Sequence, residues 1–356
     1  MLNIQIKKMS NGEKYKIFLE QHKFLAFMLI FSNLYPNVAH TRAQCVLSIL
    51  ILLFCIPPTW AVVKFICHCF HNGQYTLLAN EISTTIPVTL FFYKLYAISV
   101  YPKENLQLIT NINRDMLEWN DLEESYKRII NKGLANVKMG KHFWMFIAAL
   151  MFAVYPGLSA FNILVKYIMK DEYMEKHLMI HPLSFPFLES KQFQSPYFQI
   201  VWLYEFYISI IVTISFPGYD GLALLAITHV GIKLKLLSRR MKETFENSNT
   251  VEELRLRVID IIKEHQEALD MYELVQNNYG GWMLMIFLVT SLLLALNLYQ
   301  LMISVEPRYI MLLTTATLHS FLPCYFSSKL TEVSYLINYQ SCQNCEICPI
   351  LSFLMA

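Results

Sequence analysis

Long apolar runs bounded by charged residues are the feature that most constrains this sequence. A helix needs about 20 mostly apolar residues to cross the hydrocarbon core of a bilayer. Six runs of that length occur, at about 43–66, 75–101, 142–167, 200–232, 282–305 and 309–336. The sequence therefore predicts an all-α fold, a polytopic membrane helical bundle with six visible spans.

Composition excludes several other classes of protein. The chain has 356 residues, of which 55% are hydrophobic and only 16% charged, whereas soluble domains average about 25% charged residues. Its 8 Cys are too sparse for a small disulfide scaffold, and a net charge of +2 provides no basic field for nucleic acid. No nucleotide-binding loop, nucleophile elbow or paired acid-base carboxylates occur in the sequence. We therefore predict neither catalysis nor a cofactor.

The distribution of Lys and Arg predicts the orientation in the membrane. Of these residues, 21 lie before the first span or in the two long connections, and 4 lie in the loops on the opposite side. Because cytoplasmic loops carry the excess of positive charge, the N-terminus is expected in the cytoplasm. A G-protein-coupled receptor starts outside the cell, so that alternative would require the reverse topology.

The two long connections, 102–141 and 233–281, carry helical patterns. An apolar stripe at spacings of three and four comprises Leu254, Val258, Ile261, Ile262, His265, Leu269 and Tyr272. The stripe predicts that spans four and five continue into the cytoplasm as a packed helical stalk, and an amphipathic helix on the lipid surface is the alternative. The predicted organisation is an N-terminal segment (1–42), the bundle (43–336) and a C-terminal tail (337–356).

Span four contains a carboxylate, Asp220, within the sequence Phe-Pro-Gly-Tyr-Asp-Gly at residues 216–221. Burying Asp220 within a membrane is costly, so such a residue is a candidate for function, paired with a polar group. Alternatively, Asp220 caps a helix that restarts after Pro217 and Gly218. The sequence leaves both interpretations open.

Aromatic side chains with a few polar neighbours suggest a pocket for an apolar small molecule. The predicted orientation places most of them in the outer halves of spans three and four. The candidate ligand-binding residues are Thr84, Tyr155, Ser159, Trp202, Phe206 and Tyr207. Aromatic residues also pack bundles and line membrane interfaces, which is the alternative role for each of them.

Histidine and cysteine motifs raise the possibility of metal chemistry. His177 and His181 form an H-x-x-x-H pair, which a histidine-ligated membrane enzyme would require together with several more clusters. Cys342, Cys345 and Cys348 form part of an iron–sulfur ligand pattern without its fourth Cys. We interpret the histidines as solvated loop residues. The cysteines are open to palmitoylation or have no role, and no metal site is predicted.

Several segments, taken in order, resemble insect odorant receptors. The stretch from Arg257 through His265 to Leu269 is similar to the region ahead of their fifth span, and Phe321–Ser334 is similar to their late C-Y-x-x-x-x-L-x-x-x-S motif. The stretch Asp115–Lys138 resembles the second cytoplasmic loop of hymenopteran members, and Phe216–Leu237 resembles the end of their fourth span. A gustatory receptor is the closely related alternative.

The resemblance implies a seven-helix odorant-gated cation channel subunit in the plasma membrane of a sensory neuron. It implies a small volatile ligand bound among spans two, three, four and six, and a heterotetramer with a co-receptor subunit that contacts this chain through the stalk. After Ser334 the family continues into a pore-lining seventh helix. Here the sequence departs from the family, and Ile350–Met355 is too short to span, so we expect the pore helix to be absent from this form.

Overall fold

The computed structural model describes residues 15–36, 41–169, 179–180, 188–248 and 250–343, and every regular element in these ranges is helical. The all-α prediction is thus confirmed. The helices are α1 (Phe18–Gln21), α2 (Lys23–Phe31), α3 (Thr41–Phe54), α4 (Ile56–His71), α5 (Tyr75–Val100), α6 (Pro102–Glu118), α7 (Glu124–Phe152), α8 (Leu158–Ile168), α9 (Tyr197–Asn247), α10 (Val251–Ile303) and α11 (Pro307–Gln343).

Within the described chain, four helical segments are long and apolar enough to cross a membrane. They are Arg42–His71, Tyr197–Asn247, Val251–Ile303 and Pro307–Tyr335. Helix α5 and the α7–α8 segment, which correspond to spans two and three, are not among them. Both contain charged residues, such as Lys94 in the middle of α5. The span count of six therefore stays a prediction.

Span one is two helices rather than one. A turn at Cys55 separates α3 from α4, although the Cys55 N–H still donates to the Ile51 carbonyl at 3.0 Å. Helix α4 begins at Ile56 with Pro57 and Pro58 in its first turn. Proline is well tolerated there because its missing N–H would have no intrahelical partner. The two prolines thus lie directly after the turn that separates the two helices of span one.

Helices α9 and α10 are much longer than a bilayer is thick. Helix α9 has 51 residues, or about 76 Å at 1.5 Å per residue, and α10 has 53. Thr250 caps α10 by accepting a hydrogen bond from the backbone N–H of Glu253. Helix α9 runs unbroken through Pro217, so the prediction that Asp220 caps a restarting helix is wrong.

The N-terminal helix α2 packs directly on the middle of α9. A β-carbon at Gly218 would lie 3.3 Å from Cβ of Met28, and one at Gly221 would lie 2.9 Å from Cδ1 of Leu25. A larger residue at Gly218 would therefore push α2 outward by a few tenths of an ångström, and one at Gly221 would displace the end of the Leu25 side chain. The apolar run in α2 is too short to span a membrane and instead covers a central helix of the bundle.

Below this contact, α6 and α9 meet through buried charges. The Asp115 carboxylate on α6 lies 2.9 Å from Nε2 of His229 and 3.0 Å from Nζ of Lys233, and the ring of Trp119 stacks on His229 at 4.6 Å. Burial alone would raise the pKa of Asp115, but the hydrogen bonds and charge of His229 and Lys233 outweigh it and lower that pKa. The Asp115 carboxylate is therefore held ionised between the two helices.

Acidification is expected to weaken this part of the fold through His22. Burial, followed by the charges of Lys141 and His229, lowers the pKa of His22 from 6.5 to about 4. As the pH falls, His22 therefore takes up a proton in the unfolded chain before it does so in the folded chain. The contribution of His22 to the free energy of unfolding is complete above pH 6.5 and is lost as the pH falls toward 4. Between pH 7 and pH 5 the free energy of unfolding should fall by about 2 kcal/mol on account of His22.

The measurement is unfolding of the purified chain at a series of pH values, alongside the His22→Gln variant. Gln cannot titrate, so the difference in stability between the two proteins should shrink as the pH falls from 7 to 5. A difference that stays constant over this range would show that His22 is protonated equally in both states.

Candidate functional site

A small cavity lies at the centre of the bundle. Its volume is about 70 Å³, which is room for about two water molecules. Its walls come from five helices, α5, α7, α9, α10 and α11. The lining residues are Ile86, Pro87, Leu90, Trp144, Ile147, Ala148, Met151, Val212, Thr213, Phe216, Thr290, Leu293, Leu312, Thr315, Ala316 and His319.

Local sequence explains why space remains there. Pro87 lies inside α5, where its ring cannot donate the usual helical hydrogen bond and crowds the preceding turn. Ala148 and Ala316 present only methyl groups to the cavity from α7 and α11. Mostly apolar walls with a few polar groups are typical of small-molecule sites in proteins.

Four polar side chains interrupt the apolar lining. The Thr290 hydroxyl donates to the Ile286 carbonyl and contacts Ser320, each at 2.5 Å, so it is already engaged. In the described chain, the hydroxyls of Thr213 and Thr315 make no hydrogen bond, and His319 is the fourth polar residue. A ligand in the cavity therefore meets two free hydroxyls and an imidazole.

Next to the cavity lies a buried ion cluster, which comprises Lys94, Asp220, Trp282 and His319. The Asp220 carboxylate lies 3.3 Å from Nζ of Lys94 and 3.2 Å from Nε2 of His319, and it accepts a hydrogen bond of 2.9 Å from the Trp282 indole. Lys94 also donates to the Ser215 carbonyl at 3.4 Å. The cluster thus joins α5, α9, α10 and α11.

Aromatic rings enclose these charges. Nζ of Lys94 lies 3.9 Å from the centre of the Phe216 ring and 4.8 Å from that of Trp282, distances at which a ring face attracts a cation. The edge of Trp144 meets His319 at 5.1 Å. Phe216, Trp144 and His319 also line the cavity. A ligand would therefore touch the shell of the ion cluster directly.

The sequence-predicted ligand residues divide into separate groups. The Trp202 indole donates to Ser159 Oγ at 2.8 Å and stacks on Phe206 at 5.0 Å, and Phe206 meets Phe152 at 5.6 Å. This set of Phe152, Ser159, Trp202 and Phe206 is called the aromatic cluster below. None of its members lines the central cavity.

Tyr207 points elsewhere, toward Phe54 of α3 at 5.8 Å, and lines a shallow apolar groove between α3 and α9. Thr84 and Tyr155 lie on described helical segments, but their side chains are outside the described part of the structure. Phe206 and Thr213 are seven positions apart on α9, which places the aromatic cluster about 10 Å from the cavity along the helix axis.

Sequence reasoning missed Lys94 and His319. The Lys94–Asp220 pair could have been predicted, because a lysine in the middle of one apolar run and an aspartate in another are expected to pair within a membrane. The role of His319 could not be predicted from the sequence, because a single histidine in a helix can have many different roles. Its position between the cavity and Asp220 emerges only from the packing of α11.

Metal chemistry receives no support from the part of the chain that is described, where no group of three or more His, Cys, Asp or Glu side chains is placed to bind an ion. His177, His181, Cys345 and Cys348 lie outside the described residues, and the side chain of Cys342 does so too.

Comparison with known proteins identifies the family. A family profile described as 7tm Odorant receptor matches residues 74–340. This chain belongs to the 7tm Odorant receptor family. Proteins with curated functions include no significant match to the sequence. The odorant receptor region covers α5 to α11 almost entirely and so contains the cavity, the ion cluster and the aromatic cluster.

Two solved structures share the fold. One is the insect olfactory receptor OR5 from Machilis hrabei, with a TM-score of 0.71, 16% identity and coverage of 89% of this chain and 81% of that one. The other is the same receptor in complex with eugenol, with a TM-score of 0.69, 15% identity and coverage of 92% and 90%. At this identity the likeness concerns the fold.

Family membership decides between the alternatives that the sequence raised. An odorant receptor is a multi-pass membrane protein and not an enzyme, so the histidine-ligated enzyme is set aside. The resemblance to insect odorant receptors is confirmed.

Proposed function

We propose that this chain is an odorant receptor subunit that binds a small apolar odorant in the central cavity. The observation that carries the proposal is an apolar cavity, at the meeting of five helices, in a chain of the odorant receptor family. The structure of the similar OR5 receptor with eugenol supports a small organic ligand. A cavity of about 70 Å³ suits a molecule of a few carbon atoms.

The aromatic cluster has a second role in this proposal. Phe152 follows Met151, which lines the cavity, and its ring contacts Phe206. Ligand contact by Thr84, Tyr155 and Tyr207 stays a prediction, and we assign Ser159, Trp202 and Phe206 to the approach between the outer surface and the cavity. Odorants would meet these side chains before they reach the central cavity.

Channel gating with a co-receptor completes the proposal. The part of α10 in the stalk exposes large apolar side chains, among them Leu256, Ile259, Ile262, Leu269 and Tyr272. Exposed apolar patches on a helix are typical of a surface that another protein covers. We propose that a co-receptor subunit packs there in a hetero-oligomer of the plasma membrane with the N-terminus in the cytoplasm. Ligand binding would shift the complex toward an open cation channel by its higher affinity for that state.

Filling the cavity tests the ligand site. In cells that express this chain with a co-receptor subunit, a panel of volatiles with two to four carbon atoms should evoke cation currents. Ala316→Leu and Ala148→Leu put bulk into the cavity. We expect each to raise the half-maximal odorant concentration at least tenfold, since a single misplaced methylene in a pocket is worth about that much.

The matched control is Ala295→Leu, which makes the same change at an exposed position on α10 and should leave the response unchanged. Surface expression of all variants must be equal for the comparison. If the cavity variants respond like the control, the ligand binds elsewhere. If no volatile evokes current in any form, the channel proposal fails.

A further inference from the structure

His319 occupies a special position, because it is shared by the cavity and the ion cluster. It is 3% exposed and lines the cavity beside Phe216 and Trp144. Its Nε2 lies 3.2 Å from Oδ2 of Asp220, although without the alignment of a hydrogen bond within the described structure. One edge of the imidazole therefore faces a carboxylate, while the side chain also borders the space for ligand.

This position selects one form of the ring. The Lys94 ammonium, 3.3 Å from Asp220, already balances the carboxylate, so a second buried cation beside it would be costly. In a neutral imidazole one nitrogen carries the proton and the other is an acceptor. A carboxylate oxygen repels a lone pair, so the proton belongs on Nε2. Nδ1 is then left as an acceptor.

The other free polar groups of the cavity do not discriminate in this way. The hydroxyls of Thr213 and Thr315 can each donate or accept a hydrogen bond, so they suit a ketone as well as an alcohol. An imidazole held in one tautomer accepts at Nδ1 and cannot donate there. It can accept a hydrogen bond from a ligand hydroxyl, but it cannot form one with a carbonyl or an ether oxygen.

We propose that His319 is a specificity-determining residue that accepts a hydrogen bond from the hydroxyl of the odorant. The receptor then prefers small alcohols to ketones, ethers and hydrocarbons of the same size. Asp220 acts as a positioning residue that fixes the tautomer. The inference rests on the proposed function, since it requires that odorants bind in the central cavity.

The test compares three three-carbon probes, 1-propanol, acetone and propane. Each is titrated against the full chain in lipid nanodiscs, with tryptophan fluorescence as the readout because Trp144 lines the cavity. The wild-type protein should bind 1-propanol about five- to tenfold more tightly than acetone, the effect of one hydrogen bond. In His319→Leu the two dissociation constants should become equal.

Two further variants separate selectivity from folding. His319→Asn keeps an acceptor oxygen near the position of Nδ1, so it should retain part of the preference for 1-propanol. Thr317→Val changes an exposed side chain on the same helix and should keep all of that preference. A preference that survives unchanged in His319→Leu, or a wild-type preference for acetone, would overturn the assignment of His319.

The cavity variant Ala316→Leu distinguishes this failure from that of the proposed function. If Ala316→Leu abolishes binding of all three probes but His319→Leu leaves their ratio unchanged, the cavity is the ligand site and only the role of His319 is wrong. If Ala316→Leu binds every probe as the wild type does, or if no probe binds the wild type, the central cavity is not the ligand site and both ideas fall.

Discussion

The Asp220→Ala variant should lose about 3–5 kcal/mol of unfolding free energy, the usual cost of breaking a buried ion pair. The Lys94 side chain is fully buried, so the substitution leaves its ammonium without a counter-charge among apolar and aromatic groups. The Trp282 indole also loses the acceptor of its hydrogen bond. The measurement is unfolding in mixed micelles by added denaturing detergent, followed by tryptophan fluorescence.

A double variant shows whether charge is the cause. Lys94→Met with Asp220→Leu removes both charges and keeps comparable volumes, so it should recover most of the lost stability. The single Lys94→Met variant leaves the carboxylate with His319 and Trp282 and should be less damaging than Asp220→Ala. If the double variant is as unstable as Asp220→Ala, packing rather than charge pairing explains the loss.

The long helices could be predicted from the sequence because their signals are local. The stripe from Leu254 to Tyr272 repeats at helical spacing without interruption and continues into the apolar run that begins at Trp282. Helix α10 accordingly runs from Val251 to Ile303. For helix α9, Pro217 and Gly218 instead suggest a break. Packing of α2 against Gly218 and of α5, α10 and α11 around Asp220 keeps α9 continuous.

The cavity could not be predicted in the same way. Aromatic residues such as Trp202 and Phe206 are conspicuous in a sequence, and a pocket was therefore expected around them. The central cavity instead depends on what is missing, namely bulk at Ala148 and Ala316 and a hydrogen-bonded turn at Pro87. Small residues are common in every membrane helix, so their alignment at one depth is visible only when the helices are packed.

The buried charge pair was partly predictable, more so than the cavity and less so than the long helices. Opposite charges in two apolar runs favour a Lys94–Asp220 pair on physical grounds alone, and the two residues are indeed in contact. The sequence does not reveal that His319 joins them, since that depends on the rotation of α11. The residue on which we base ligand selectivity is thus the one that the sequence indicates least.

Asp115→Ala should lower the free energy of unfolding by about 3 kcal/mol, nearly as much as Asp220→Ala, because it also breaks a buried charge cluster. His229 is buried with no hydrogen-bond partner for Nδ1 in the described structure, so the loss of Asp115 leaves its whole ring unpaired. Among the described residues, Lys233 would keep the carboxylate of Glu267, which is 3.7 Å away and half exposed. Asp115→Asn preserves a hydrogen bond to His229 and should cost about half as much.

Glu118→Ala is the matched control, because Glu118 lies one turn further along α6 and pairs with Arg114 at 3.9 Å on the surface. Exposed pairs of this kind contribute about 0–1 kcal/mol, so its stability should match the wild type. Added salt should erase any effect of Glu118→Ala and leave that of Asp115→Ala, since screening acts weakly on buried charges. Equal losses in the two variants would mean that α6 is held to α9 by its apolar contacts and not by Asp115.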